Sequence, residues 1–174
     1  MSRGEIDESV LAKLFQQPPR LSPRCLKVME LIPDLISIAC PPDSTIPIAA
    51  PCFTDAIHTF NGARFALRES HAHHYWHTER RNPPDLLAAN FFGVFFADDC
   101  ALRAYAAGEH LSSAIIAMLG IRPETLPQKR RVSLQSKLAN WLQKNNPKAL
   151  ITSKVKELGK SGDWQKVMEY RNRW

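Results

Sequence analysis

Between Pro84 and Pro123 the chain contains no proline, and Leu87, Phe91, Val94, Phe95, Leu102, Tyr105, Leu111, Ile115 and Met118 recur there at helical spacings. Apolar residues three and four apart share one side of a helix, so this stretch predicts a single long helix from Leu86 to Leu119. At 1.5 Å per residue it is roughly 50 Å long. Asn82-Pro83-Pro84-Asp85 breaks the pattern before it, and Gly120 is a natural stop after it.

The remaining segments follow the same logic. Asp7–Gln17 carries a stripe at Val10, Leu11, Leu14 and Phe15 and ends at Pro18-Pro19. Ser22 and Pro23 open a second segment, apolar nearly all round from Leu26 to Ile38. Four prolines between Cys40 and Phe53 predict an extended linker. A long helical run follows from Ala56 to about Arg80, with Ile57, Phe60, Ala63, Phe65, Leu67, Tyr75 and Trp76 on its apolar faces. Beyond the central helix, Val132–Gln143 and Ala149–Leu158 read as shorter helices, and Asp163 caps a last one. The expected fold is all-α: an antiparallel helical bundle with one long central helix. The expected division is an N-terminal helical extension over 1–53 and the bundle over 54–174.

No apolar stretch reaches the roughly 18 residues of a membrane span, and the polar start lacks a signal-peptide core. A cytoplasmic protein without membrane contact is the expectation. Cys25, Cys40, Cys52 and Cys100 are widely spaced and read as buried free thiols.

Charge is unevenly spread. Up to Ile121 there are 10 Lys/Arg and 13 Asp/Glu, and from Arg122 onward there are 13 and 4. That asymmetry points to a phosphate-rich partner.

Three constellations could carry chemistry. His71, His73, His74 and His77 lie close to Glu69 and Glu79, with His73 and His77 four apart on one helical face. That spacing could hold a transition metal, although the H-E-x-x-H pattern is absent. On the central helix, Asp99 and Arg103 make an intrahelical pair. Ala104, Ala106, Ala107 and Gly108 let another helix approach, which would bring Glu109 against it, and a carboxylate so placed calls for a cationic partner. The third is the ending Glu169-Tyr170-Arg171-Asn172-Arg173-Trp174, where Arg171 could offer its guanidinium fork to phosphate.

The run from Phe96 to Leu111 resembles the long acidic helix of HEPN-superfamily proteins, and Glu-Tyr-Arg-Asn-Arg-Trp resembles the start of their signature, an Arg and a polar residue followed four to six residues on by a His. The similarity covers roughly residues 85–174 and is closest to little-characterised bacterial groups linked to defence or mobile elements. It implies a helical bundle, often a homodimer, that cleaves RNA without a metal or other cofactor. Arg171 would stabilise charge on phosphorus, Asn172 would orient the motif and Glu109 would hold Arg171. Lys129, Arg130, Arg131, Lys166 and Arg173 would contact the RNA backbone, and an antitoxin or other partner protein fits the same setting. The motif histidine is missing: no His follows His110. The expectation is therefore an RNA-binding protein or a metal-independent ribonuclease, inactive or incomplete in this form. The alternatives are a metal-binding hydrolase using His71–His77 and a non-enzymatic helical interaction protein.

Overall fold

The computed structural model describes residues 46–128 and 132–173. The expected helices before Cys40, with Cys25 and Cys40 themselves, lie outside the described residues, as do Lys129, Arg130, Arg131 and Trp174. The described chain is all-α, without strands: α1 (Ile46–Tyr75), a five-residue π-helical turn (Trp76–Arg80), α2 (Leu86–Met118), a 3-10 turn (Pro123–Thr125), α3 (Leu134–Asn145), α4 (Leu150–Lys160) and α5 (Gly162–Asn172). None of these helices is long and apolar enough to cross a membrane.

The proline-rich stretch is not extended over its whole length, because α1 begins at Ile46 and runs through Pro47 and Pro51. Pro47 sits in the first turn, where backbone N–H groups have no intrahelical acceptor, so its missing donor costs nothing. Pro51 forgoes one hydrogen bond and lies exposed. α2 matches its expected span closely. The Asp85 carboxylate accepts from the Ala88 N–H at 2.9 Å and so caps the first turn. Gly120 ends the helix with φ +59°, a left-handed conformation that glycine adopts without a Cβ clash.

α1 and α2 pack together along their lengths. The seam on α1 is small: Ala49, Ala56, Ala63 and Ser70 follow one another seven residues apart, and the three alanines are buried. α2 answers with Phe96, Arg103 and the carbonyl of Gly93. Ser70 Oγ donates to the Gly93 carbonyl at 2.7 Å, Arg103 lies across Gly62, and His73 stacks on Phe96. Rising numbers on α1 meet falling numbers on α2, so these two helices run in opposite directions. Alanines on the seam allow axes near the short end of the roughly 8–10 Å range for packed helices.

That seam turns the large side chains outward. Phe60, Phe65 and Leu67 of α1 and Leu87, Phe91, Val94, Phe95 and Leu102 of α2 are exposed, although their spacing marks them as core. The cluster of large buried residues lies at the other end of α2, where Ile116, Ile121 and Leu126 meet Leu138 and Leu142 of α3 and Val155 of α4. Gln135 is buried among them without loss, because its Nε2 donates to the Val155 carbonyl at 2.9 Å and its Oε1 accepts from Ser136 Oγ. The cap of α5 is Ser161, whose Oγ accepts from the Trp164 N–H, and not Asp163. Cys52 and Cys100 are free thiols but only half-buried.

Candidate functional site

The small-residue step on α2 does admit another helix. At Gly108 an added methyl would overlap the ring of Trp164, so only glycine leaves room for α5 at this height. Trp164 is 8% exposed. Its ring stacks on Tyr105, with centroids 6.2 Å apart and planes 9° from parallel. On the same helix Arg171 places its guanidinium carbon 5.1 Å from the Tyr105 ring centroid, a cation–π contact.

Glu109 lies one residue beyond Gly108, and among the described residues its carboxylate meets a helix terminus, not a cation. Leu134 N–H donates to both carboxylate oxygens, at 3.0 and 3.1 Å, and Gln135 N–H donates to Oε1 at 3.4 Å. These are the first amides of α3, which lack intrahelical acceptors and carry the positive end of the helix dipole. The helix terminus supplies the partial positive charge that the carboxylate requires. Among the described residues, Glu109 forms no ion pair with Arg171. The two groups meet through Tyr105, whose hydroxyl faces Glu109 and whose ring carries Arg171. Desolvation and the Glu109 charge push the Tyr105 phenol above its ordinary pKa, against a smaller opposing effect of Arg171.

Arg171 and Asn172 are exposed at the end of α5, with Arg171 Nη1 donating to Asn172 Oδ1 at 3.1 Å. The cation–π contact uses the face of the guanidinium and leaves in-plane donors for an anion. Lys166 on the same helix and Arg173 at its C-cap are exposed. Lys166 approaches Asp163 at 3.9 Å with both side chains in water, a contact of little strength.

The histidine cluster is a separate arrangement. His73 and His77 do share a face, with ring centroids 6.0 Å apart. Both rings stack against Phe92, at 4.7 and 5.7 Å. Among the described residues, the carboxylate near them is Glu69, 3.9 Å from His73 Nε2, and His77 Nδ1 is buried without a hydrogen-bond partner. Among the described residues no three His, Cys, Asp or Glu side chains converge as a metal site would require. His71 and His74 point to solvent. Asp99 and Arg103 form the intrahelical pair expected of them, Nε to Oδ2 at 2.8 Å.

Sequence reasoning overlooked Tyr105 and Trp164, which join Arg171 to α2. A usable signal was present: an aromatic residue three positions before glycine on one helix, and a tryptophan two turns before arginine on another. Compared with protein-family models, curated proteins and solved structures, the chain matches none.

Proposed function

We propose that the chain is an RNA-binding helical protein of HEPN-like type, whose phosphate contacts come from the surface of α3, α4 and α5, with Arg171 and Asn172 as the opening part of a ribonuclease motif. The observation that carries this reading is the charge of that surface. Between Leu134 and Arg173 nine Lys/Arg stand against three Asp/Glu, and Lys144, Lys148, Lys154, Lys156, Lys160, Lys166, Arg171 and Arg173 are all exposed. Lys154 and Lys166 have close carboxylate partners in Glu157 and Asp163, and such solvent-exposed pairs exchange readily for a phosphate. A cytosolic setting and a role in defence or toxin–antitoxin systems are consistent with the resemblance alone. The test is fluorescence anisotropy with a labelled single-stranded RNA. Binding that Arg171→Ala and Lys166→Ala weaken supports the proposal, and absence of binding at low salt defeats it.

A second reading, a protein–protein contact, is favoured by the outward stripe of α2. Leu87, Phe91, Val94, Phe95 and Leu102 are 44–82% exposed. Phe91 and Phe95 lie parallel with centroids 6.4 Å apart. A two-fold axis between Val94 and Phe95 would set Leu87 of one copy opposite Leu102 of the other, the self-complementary pattern of an isologous homodimer. Sedimentation of the full chain tests this: a dimer that Phe91→Glu dissociates favours it, and a monomer at high concentration removes it.

A further inference from the structure

Trp164 and Arg171 are seven residues apart on α5, two helical turns, or about 10.5 Å along the axis. Tyr105 touches both: its ring centroid is 6.2 Å from that of Trp164 and 5.1 Å from the Arg171 guanidinium carbon. The ring therefore fills the interval between the two α5 side chains. Its hydroxyl end faces Glu109, which is held by the first amides of α3. A chain of contacts runs from the start of α3 through Glu109 and Tyr105 to Arg171. An exposed arginine near a helix end samples many rotamers, and fixing one of them removes an entropy cost from ligand binding.

We infer that Tyr105 is the positioning residue for Arg171: its ring holds the guanidinium with the in-plane donors turned to a phosphate. The inference rests on the proposed RNA-binding role for its biological meaning, and on the ring geometry alone for its physical content. The position of Arg171 is set by an aromatic face and not by the carboxylate of Glu109. Glu109 acts one step away, by orienting the ring.

The experiment uses the full chain with isotope-labelled arginine, in wild-type, Tyr105→Phe and Tyr105→Leu forms. A 12-nucleotide oligouridylate and inorganic phosphate are added separately. Without ligand, the Arg171 side-chain resonances should be shifted upfield by the ring in wild type and Tyr105→Phe, and should lose that shift in Tyr105→Leu. RNA affinity should fall about two- to fivefold in Tyr105→Leu, the range of an exposed cation–π contact. Tyr105→Phe should restore it. Arg171→Ala combined with Tyr105→Leu should be no weaker than Arg171→Ala alone. Unchanged or tighter binding by Tyr105→Leu overturns the inference, and so do additive losses. Equal loss in Tyr105→Phe overturns it too, because the hydroxyl and not the ring would then matter. If wild type ignores RNA but phosphate moves Arg171 in a ring-dependent way, the RNA reading falls and the positioning role stands. If phosphate also leaves Arg171 unmoved, the positioning role falls with it. Should Tyr105→Leu unseat α5, seen as faster amide exchange at Lys166–Met168, Tyr105→Met repeats the test with a longer, adaptable side chain and no ring.

Discussion

Two glycines on α2 are predicted to respond to the same substitution with opposite sign. Gly→Ala in a helix interior ordinarily stabilises, since glycine is about 0.8–1.0 kcal/mol less favourable there than alanine. At Gly93 an added methyl meets nothing within 4 Å, so Gly93→Ala should gain up to about 1 kcal/mol. At Gly108 the methyl would overlap the Trp164 ring, the closest approach at any glycine in the described chain. Overpacking of this kind costs about 1–3 kcal/mol. Full ejection of Trp164 would cost more, on the order of 4–6 kcal/mol for 150–250 Å² of aromatic surface at 25 cal/mol per Å². A small shift of α5 is therefore the cheaper response, and Gly108→Ala should come out up to about 2 kcal/mol less stable after the propensity gain is subtracted. Urea denaturation followed by circular dichroism measures both variants, with similar slopes expected. If Gly108→Ala is stabilised as much as Gly93→Ala, Trp164 does not occupy the notch, and the placement of α5 on α2 is wrong.

Other expectations follow from the same cluster. Glu109→Ala removes the acceptor for the first amides of α3 and should cost about 1–2 kcal/mol, with Glu109→Gln intermediate, measured by thermal unfolding. Tyr105 should ionise above the ordinary tyrosine range when followed by absorbance at 295 nm. Because its folded pKa is raised, its contribution to stability is complete below about pH 10 and is lost as pH rises through the folded value; titration at the free-tyrosine value would contradict this. Burial first, and then the neighbouring Asp99 charge, raise the Cys100 thiol, so its alkylation at pH 8 should be slower than that of a free thiol and should speed up in Asp99→Asn.

The helices were legible where local signals agreed. Asp85 and Gly120 delimit α2 because capping and left-handed backbone are local chemistry. The helical start at Ile46 was concealed, since four prolines outweigh the fact that Pro47 falls where a helix needs no donor. The α1–α2 seam was harder to see. Alanines at 49, 56 and 63 are quiet beside Phe60 and Phe65, and apolar periodicity weighs large residues most heavily. Burial followed the small residues because close backbones, once formed, leave no space for phenyl rings.

The candidate site was half legible. Small residues before Glu109 correctly announced a close helix. Its partner could not be read, because the positive end of α3 is a property of folded backbone and not of any residue type. Arg171 stood out as a motif fragment, but its contact with Tyr105 depends on how α5 lies across α2, which spacing alone does not specify.

The central claim, phosphate recognition by the α3–α5 surface, is tested most directly by the salt dependence of RNA binding. Each phosphate contact to a single strand contributes about −0.7 to the slope of log K against log salt, so about five contacts among the exposed cations predict a slope near −3.5. Arg171→Ala should make that slope shallower by roughly one contact's worth. A slope near zero, or one that Arg171→Ala leaves unchanged, would contradict the account.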